Sequence, residues 1–365
     1  MPLWIQGLDG CVELGPGLNI VAGPNCSGKT AIVEALAYLL ALSYSNLREA
    51  HGYLALLHAA RGSSPHSIAS LVQDKGSVKG IVQTRDREEV VELELEREVS
   101  YEAVGSTIRP VVEVKMVSKP RGCEIVYRLL SNGHVNLGMH ARCVEGSRVS
   151  VAVVTPGMYP YDFFDKLVGM AKRNRDRVWS TLSKGIEIDG TTYAVDVASD
   201  DWGQLAAYVI EHGQPVTFYA VGRGLQRALI MLAALEYADI VMIDEIESAM
   251  HPELLMNVAE RIARIARNSK QVIVTTQSLE AARSLAAASM GLHRSEWRQL
   301  SRLAERLEQV CKENEEQNYE GDLRISLVSL KKEKRRLKSV TMHGCSALRE
   351  IVAGEDMRLI YTLIS

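Results

Sequence analysis

A glycine-bounded loop near the start of the chain constrains its fold more than any other stretch. The sequence LNIVAGPNCSGKT occupies residues 18–30, and its last eight residues fit the pattern G-x-x-x-x-G-K-[ST]. Glycine at both ends of the loop lets the backbone approach a phosphate closely, so that successive N–H groups point into one concavity. An apolar run of strand length precedes the loop, and one of helix length follows it. The pattern predicts a strand, a phosphate-binding loop (P-loop) and a helix whose positive end faces the phosphate.

The residues of this loop have distinct expected roles. Lys29 is expected to reach the β- and γ-phosphates of a nucleotide, and Thr30 to supply a hydroxyl group to Mg²⁺. The whole loop is expected to bind the nucleotide through Gly23, Pro24, Asn25, Cys26, Ser27, Gly28, Lys29 and Thr30. No N-K-x-D motif for reading guanine appears, which favours ATP over GTP only mildly. The predicted cofactors are therefore ATP and Mg²⁺.

Composition narrows the classes of protein that remain. The chain has 365 residues of which 47% are apolar, so it can bury a large core. Its net charge of −3 provides no general basic field for nucleic acid, so any contact with DNA would be local. Two basic runs could make such a contact, KRNRDR at residues 172–177 and KKEKRR at residues 331–336, although runs like these are more often solvated surface. In the second run Lys331, Lys334 and Arg335 are the residues whose loss would test DNA binding.

The cysteines and the first residues of the chain indicate the cellular compartment of the protein. The six cysteines are Cys11, Cys26, Cys123, Cys143, Cys311 and Cys345. They form no C-x-x-C pair and lie at no zinc spacing from histidine, so scattered thiols in a reducing compartment are expected. The first residues do not resemble a signal peptide, and the apolar helix after the P-loop is too short for a membrane span. We therefore predict a cytoplasmic protein that makes no membrane contact.

A pair of acidic residues completes the expected nucleotide site. Asp244 and Glu245 end the apolar run ADIVMIDE, which has the length of a buried strand. In a parallel sheet the carboxyl end of such a strand lies at the same edge as the P-loop. Adjacent carboxylates repel each other and are costly to bury, which a cation would offset. Asp244 is expected to hold Mg²⁺ together with Thr30, and Glu245 to accept a proton from the attacking water.

A second glycine-bounded segment, YAVGRGLQRALIMLAAL, stands shortly before that strand. Gly222, Gly224 and Gln226 have the spacing of S-x-G-x-Q before a helix. The N-terminus of such a helix can bind a second anion. Because the P-loop already holds the phosphates of its own chain, this site is useful mainly if it faces the nucleotide of another subunit. The alternative is a helix-capping turn that packs tightly.

The rest of the chain divides by its patterns. Residues 78–154 contain five β-rich runs separated by glycine and proline, which is typical of an antiparallel meander. Residues 160–215 are expected to form a helical lobe, with a hairpin at GIEIDGTTYAVD. Residues 217–290 carry the glycine-rich helix start, the acidic strand and a further buried strand, KQVIVTTQS. Residues 291–365 are expected to supply a charged helix and a hairpin that complete one domain over residues 1–365.

The order of these motifs resembles a known superfamily. The P-loop, the β-rich insert, VGRGLQR, IDEIESAMHPE and VIVTTQS follow one another as in the ABC-type ATPases of the SMC and RecF group. The chain is most similar to the small predicted AAA-type ATPases related to the overcoming-lysogenisation-defect (OLD) proteins. In those relatives the run after the Walker B acids ends in His-Pro, as His251 and Pro252 do here. The resemblance implies an α/β fold of the ABC-ATPase type: a mainly parallel core sheet, an antiparallel β subdomain and a helical lobe.

The resemblance also implies a nucleotide held between two heads of a homodimer. Lys29 and Glu245 would be catalytic, and the segment containing Gly222, Gly224, Gln226 and Arg227 would close on the γ-phosphate of the partner subunit. Where most relatives have T-H-S at the end of the next strand, this chain has Gln277 between Thr276 and Ser278. An amide can hydrogen-bond a phosphate or water but cannot become an imidazolium, so Gln277 either takes over the histidine's task or slows turnover.

Two features of those relatives are missing from this sequence. No glutamine stands at the mouth of the expected lobe, where the chain reads VVTPGMYP, so the residue that senses nucleotide there is unassigned. After Ser278 no D-x-D pair appears, so we expect no nuclease of the OLD type. The sequence therefore predicts an ATPase that dimerises around nucleotide and acts on an unidentified protein partner or on DNA. The alternative is a nucleotide-gated binding module that hardly turns over.

Overall fold

The computed structural model describes residues 9–44, 75–83, 88–104, 107–119, 123–130, 135–138, 149–156, 175–188, 190–199, 205–268, 270–292, 296, 299–316, 323–333 and 336–354. The strands are β1 (Asp9–Gly10), β2 (Leu18–Ala22), β3 (Lys75–Gln83), β4 (Glu88–Val104), β5 (Thr107–Lys119), β6 (Cys123–Leu130), β7 (Val135–Gly138), β8 (Val151–Val154), β9 (Ile186–Ile188), β10 (Thr191–Ser199), β11 (Leu205–Glu211), β12 (Gln214–Thr217), β13 (Ile240–Ile243), β14 (Gln271–Thr276), β15 (Ile325–Glu333) and β16 (Arg336–His343). The helices are α1 (Lys29–Tyr44), α2 (Arg175–Lys184), α3 (Arg223–Tyr237), α4 (Pro252–Arg267), α5 (Leu279–Ser289), α6 (Leu300–Glu316) and α7 (Gly344–Ala353).

A seven-stranded sheet forms the centre of the fold, in the order β1-β16-β15-β2-β14-β13-β8. The five strands from β15 to β8 run parallel, and β16 runs antiparallel to β15. Every residue of β2, β8 and β13 is buried, which explains why these strands have continuous apolar runs without alternation. The predicted α/β fold with a mainly parallel core sheet is confirmed.

Helices cover both faces of this sheet. On one face α1 contacts β8, β13 and β14, and it also contacts the separate sheet that begins with β3. On the other face a large apolar core joins side chains of the sheet to those of α3, α4, α5, α6 and α7. The arrangement places the carboxyl ends of β2, β13 and β14 at one edge, because parallel neighbours end together.

The predicted antiparallel meander is present as the five-stranded sheet β3-β4-β5-β6-β7. Its strands are linked in sequence by antiparallel pairing. The prediction extended the meander to residue 154, but β8 pairs parallel with β13 in the core sheet instead. All four residues of β8 are buried, so it lacks the alternation that a strand with one solvated face would show.

The structure differs from the predicted helical lobe over residues 160–215. Among the described residues of that range, only α2 is helical, and β9 to β11 follow it. These strands and β12 form a four-stranded antiparallel sheet, which includes the predicted hairpin between Ile188 and Thr191. Residues 157–174, which contain most of the predicted helix and of the basic run KRNRDR, lie outside the described part of the chain.

The C-terminal region contains the expected helix and hairpin. In this hairpin β15 and β16 pair antiparallel, and Glu333 forms ion pairs with Lys331 at 3.0 Å and Lys338 at 2.8 Å. The tip, residues 334–335, lies outside the described residues. Because β15 lies parallel beside β2, the hairpin leaves the sheet next to the P-loop, although it comes after every nucleotide motif in the sequence.

One expectation about the cysteines is wrong. Cys311 in α6 and Cys345 in α7 form a disulfide, with Cα atoms 5.7 Å apart. Their sequence separation of 34 hid this pairing in the sequence, because only the contact between α6 and α7 brings them together. Cys11 and Cys26 are exposed and are not part of a disulfide. In the described part of the chain, no helix is both long enough and apolar enough to cross a membrane.

Candidate nucleotide-binding site

The P-loop joins β2 to α1 in a conformation that requires its glycines. Gly28 has φ 99°, and Cys26 between the glycines has φ 62°, in the region that most side chains avoid. A Cβ atom on Gly23 would lie 2.7 Å from Ser27 Oγ and 2.8 Å from the carbonyl oxygen of Leu330. The contact with the Leu330 carbonyl oxygen involves a main-chain atom and cannot be relieved by rotation of a side chain, so the first position of the motif requires glycine. Leu330 is the neighbour of Gly23 in β15, which confirms that the C-terminal hairpin borders the P-loop.

The side chain of Lys29 folds back against the first residues of the P-loop. Its ammonium group donates hydrogen bonds to the carbonyl oxygens of Gly23 at 2.7 Å and Pro24 at 2.9 Å. Burial lowers the pKa of Lys29, while the negative charges of Asp244 and Glu245 act in the opposite direction. The cation therefore lies inside the loop, within the field of the acidic pair.

The loop has features that fit a phosphate group. The hydroxyl of Ser27 is buried and has no hydrogen-bond partner among the residues that the structure describes, which is costly unless a polar ligand contacts it. The first N–H groups of α1 have no acceptor within the helix and carry its positive dipole end. Lys29 adds a full positive charge to the same place. An oxyanion would satisfy all of these groups together.

Two motifs that are far apart in the sequence meet directly at this edge of the sheet. The hydroxyl of Thr30 donates to Asp244 Oδ2 at 3.0 Å, across 214 residues of sequence. The hydroxyl of Thr275, at the end of β14, donates to Asp244 Oδ1 at 2.5 Å. Thr275 Oγ1 also accepts the backbone N–H of Glu245 at 2.8 Å. Hydroxyl groups on both sides therefore fix the orientation of the Asp244 carboxylate.

Glu245 is held in an unusual backbone conformation. Its φ of 49° is rare for a residue with a side chain, and such strain persists only where neighbours enforce it. Thr275 holds its N–H, and Arg227 donates to its carbonyl oxygen at 2.7 Å. Burial, then the charges of Asp244 and Glu247, raise the pKa of the Glu245 carboxyl group. The site thus concentrates negative charge where a cation or a polarised water would be stabilised.

Arg227 supports the acidic turn, residues 244–248, from within the protein. The side chain is buried, and it donates to the carbonyl oxygens of Asp244, Glu245 and Ser248. Burial lowers its pKa to about 10, while the nearby acids oppose that change, so it remains charged near neutral pH. Sequence reasoning expected Arg227 to face the nucleotide of a partner. The structure instead directs it inward, because α3 packs this side chain against the acidic turn.

The glycine-rich segment before α3 divides into an outward part and an inward part. Gly222 is exposed, with open space where a side chain would lie, and Arg223 beside it is also exposed. A Cβ atom on Gly224 would lie 2.2 Å from the carbonyl oxygen of Ala249, so this glycine permits close contact with the end of the acidic turn. Gln226 is buried and donates to the carbonyl oxygens of Phe218 and Val221 at 2.9 Å and 3.1 Å. Like Arg227, Gln226 differs from its expected role at the nucleotide.

Gln277 directly follows β14, two residues after the Thr275 that contacts Asp244 and Glu245. Its backbone N–H donates to Glu247 Oε1 at 3.0 Å. Its side chain is half-buried and has no hydrogen bond to any residue that the structure describes. Ser278 then caps α5 by accepting the N–H of Ala281 at 3.2 Å. The amide of Gln277 is thus held at the site by its backbone and keeps its side-chain hydrogen-bonding groups available.

The donor set suits a hard cation shared with a ligand. Within the described ranges no group of three His, Cys, Asp or Glu side chains is arranged as a metal site. Mg²⁺ usually takes one or two protein oxygens and completes its shell with phosphates and waters. The Thr30 hydroxyl and the Asp244 carboxylate, 3.0 Å apart, are oxygen donors of that kind. They fit a magnesium ion that a nucleotide would bring with it.

Sequence reasoning missed three residues of this site. Thr275 fixes the acidic pair, Glu247 holds the segment of Gln277, and Arg223 is the exposed cation at the start of α3. The doubled threonine before Gln277 was a signal for the first of these, because polar residues are unusual at the end of a fully buried strand. Glu247 and Arg223 gave no signal that separates them from ordinary surface charges.

Two segments of the chain match known families. Residues 161–283, which include the acidic strand, match the family described as "AAA domain, putative AbiEii toxin, Type IV TA system". Residues 5–121, which include the P-loop, match a second family, described as "AAA domain". The match that includes the P-loop therefore precedes the match that includes the acidic strand. No curated protein sequence matches the chain.

Several solved structures are similar to this chain over most of its length, at low sequence identity. An SMC head bound to the C-winged helix domain of ScpA is 13% identical, covers 90% of this chain and 91% of its own, and has a TM-score of 0.43. The SMC head domain from Pyrococcus furiosus, bound to the C-terminal domain of ScpA, is 12% identical, with coverages of 93% and 94% and a TM-score of 0.42. The protein cbiO1 from Clostridium perfringens, part of an ABC transporter complex, is 9% identical, with coverages of 98% and 88% and a TM-score of 0.39.

Proposed function

Because the chain carries a P-loop ATPase domain of the ABC/SMC-like type, we propose that it binds ATP with Mg²⁺ and hydrolyses the γ-phosphate. The contact between Thr30 and Asp244, 3.0 Å long, carries this proposal. It brings the P-loop hydroxyl and the acidic strand together, although neither motif has a structural need for the other. The narrower likeness to the OLD proteins stays a prediction.

Each residue of the site has a task in this reaction. Lys29 binds the β- and γ-phosphates, and the backbone N–H groups from Gly23 to Thr30 surround them. Glu245 accepts a proton from the water that attacks the γ-phosphorus, and its raised pKa suits a proton acceptor near neutral pH. Gln277 orients that water or the γ-phosphate through its amide group. Mg²⁺, held by Thr30 and Asp244, would neutralise the charge that develops on the phosphate oxygens.

We further propose that two copies close around the nucleotides. Gly222 and Arg223 are exposed at the start of α3, and within the described part of the chain no side chain caps this helix. A cation is unfavourable beside the positive end of a helix unless an anion joins it. The inward contacts of Gln226 and Arg227 leave Arg223 and the backbone N–H groups as the part of this segment that can meet a partner's γ-phosphate. Arg223 therefore takes the role that the sequence assigned to Arg227.

Complementation between two inactive variants tests the shared site. The Arg223→Ala variant keeps its own P-loop, and the Lys29→Met variant keeps Arg223. A mixed dimer therefore has one complete site, in which Lys29 of one subunit faces Arg223 of the other. We expect ATP hydrolysis in the mixture to exceed the sum of the rates of the two separate variants, measured as released phosphate at equal total protein. Hydrolysis no higher than the sum of the two separate variants would contradict the composite site.

The second candidate function is a nucleotide-gated switch with little turnover. Gln277 favours this candidate, because an amide cannot act as an acid or base. Glu245 favours hydrolysis, because a pure switch has no need of a proton acceptor there. A rapid-quench measurement separates the two functions. One phosphate released per site without continued release would support the switch, and steady release would support the enzyme.

We also propose two candidate partners on which the ATPase could act, DNA and an unidentified protein. The hairpin of β15 and β16 carries the basic run KKEKRR and begins beside the P-loop. Glu333 within this run is paired with Lys331 of the run and with Lys338 beyond it, which reduces the charge available to phosphate. Measuring ATP hydrolysis with duplex DNA, single-stranded DNA, RNA or no addition decides whether nucleic acid is sensed. Unchanged rates in all four would leave the protein partner as the candidate.

A further inference from the structure

Glu247 occupies the turn that follows the acidic pair, yet neither the P-loop chemistry nor the dimer assigns it a task. Its carboxylate lies between two neighbouring strand ends. Oε2 accepts the hydroxyl of Thr276 at 2.8 Å, and Oε1 accepts the backbone N–H of Gln277 at 3.0 Å. One side chain thus spans from the turn after β13 to the end of β14.

These bonds extend the pairing of the two strands beyond the sheet. The parallel ladder ends at Ile243 and Val274, and the N–H of Ile246 then donates to the carbonyl oxygen of Thr275 at 3.1 Å. Glu247 continues the connection by one further residue on each side. Without it, the chain from Thr276 onward would have no bond to the turn that carries Glu245 in the described structure.

The same network continues into the helix that follows. The hydroxyl of Thr276 donates to Glu247 and accepts the N–H of Ser278 at 3.0 Å. Ser278 caps α5 through the N–H of Ala281. Gln277 is therefore fixed on both sides: its own N–H is bound by Glu247, and its two neighbours are bound to each other. Its side chain alone remains available at the site.

We infer that Glu247 is a positioning residue that sets the distance between the Gln277 amide and the Glu245 carboxylate. The inference rests on the proposed hydrolysis of ATP. A carboxylate is suited to this task because both of its oxygens accept hydrogen bonds, and bonds to a charged acceptor are shorter and stronger than neutral ones. An amide in the same place would offer one acceptor and would turn an N–H₂ group toward the second donor.

The test uses a cycle of variants in the full-length protein. Glu247→Gln is made in the wild-type background and in the Gln277→Ala background. We expect kcat for ATP hydrolysis to fall about 10- to 100-fold in the first background, the usual effect of losing a group that orients a reacting residue. KM and nucleotide affinity should not change. In the Gln277→Ala background, Glu247→Gln should cause no further loss, because the side chain that it positions is absent.

A second variant separates positioning from the effect of charge. Thr276→Val removes one donor to Glu247 and leaves the negative charge beside Glu245 in place. A fall in kcat for Thr276→Val supports positioning. If only Glu247→Gln reduces kcat, the charge acts on Glu245 directly and the inference is overturned. Melting temperatures accompany each variant, and Thr276→Val carries the test alone if Glu247→Gln does not fold.

The remaining outcomes distinguish this inference from the function on which it rests. Equal losses from Glu247→Gln in both backgrounds would show that Glu247 acts without Gln277 and would overturn the inference alone. A Gln277→Ala variant as active as the wild type would overturn it too, since no effect could then pass through that amide. A wild-type protein that binds ATP but releases no phosphate would overturn the proposed hydrolysis as well.

Discussion

Replacing Lys29 with methionine is expected to weaken ATP binding by more than about 100-fold. The lysine would lose its bonds to the β- and γ-phosphates, and hydrogen bonds to charged groups contribute about 1.5–3 kcal/mol each. Each 1.4 kcal/mol corresponds to about a tenfold change in affinity. The lysine is held within the P-loop, where its ammonium group already contacts the carbonyl oxygens of Gly23 and Pro24. Phosphate oxygens are stronger acceptors than these carbonyls, and methionine provides no donor for them. Fluorescence titration with a labelled ATP analogue, in the presence of Mg²⁺, measures the change.

Lys270 provides a matched control for this variant. It is also partly buried with a lowered pKa caused by burial, and its ammonium group donates to the carbonyl oxygens of Leu235 at 2.6 Å and Glu236 at 3.0 Å. It precedes β14, at the edge of the sheet away from the P-loop. Lys270→Met should therefore lower the melting temperature to a similar degree but leave ATP affinity unchanged. Equal affinities for the wild type and Lys29→Met would refute the phosphate-binding role of the loop.

The parts of the fold that the sequence predicts well are those with a strong local pattern. Continuous apolar runs at LNIVA and DIVMI predict fully buried strands, and both lie in the parallel sheet. The run from Pro252 to Arg267 has an apolar stripe, and it forms α4. In these segments the types of side chain, the spacing of the apolar residues and the length of the run all favour the same secondary-structure element. Local agreement of this kind does not require knowledge of the neighbours.

The errors fall where the neighbours decide the structure. Val151 to Val154 follow the meander in sequence, and only their pairing with β13 places them in the core sheet. The disulfide of Cys311 and Cys345 depends on the packing of α6 against α7. After α2, β9 and β12 have only three and four residues, and they form a sheet through pairing with the longer β10 and β11. No pattern within one segment contains this information, because it arises from contacts between distant segments.

The same distinction holds inside the candidate site. The P-loop and the acidic pair are motifs whose residue types follow from phosphate and metal chemistry, so they can be identified from sequence. Whether Arg227 or Arg223 faces outward depends on how the start of α3 packs, which the inward bonds of Gln226 and Arg227 set. The role of Glu247 depends on the spacing of β13 and β14 at their ends. Motif spacing alone specifies neither which arginine faces outward nor which residues Glu247 contacts.

Replacing Glu245 with glutamine should remove most ATP hydrolysis and leave ATP binding intact. A positioned general base contributes about 100- to 10,000-fold to a rate, and an amide cannot accept the proton of the attacking water. The substitution preserves size, and the bonds that hold the strained backbone come from Thr275 and Arg227 to main-chain atoms. The turn should therefore keep its shape. Released phosphate measures the rate, and the titration described for Lys29 measures the binding.

The same variant should accumulate as a dimer with ATP and Mg²⁺, because closure precedes hydrolysis and hydrolysis reopens the dimer. Light scattering after size exclusion measures its mass with ATP, with ADP and without nucleotide. The double variant Glu245→Gln/Lys29→Met is the control, and it should remain monomeric, since it cannot bind the nucleotide that joins the two copies. If Glu245→Gln binds ATP and stays monomeric at every concentration, the outward Arg223 does not meet a second nucleotide, and the composite site must be abandoned while the P-loop assignment stands.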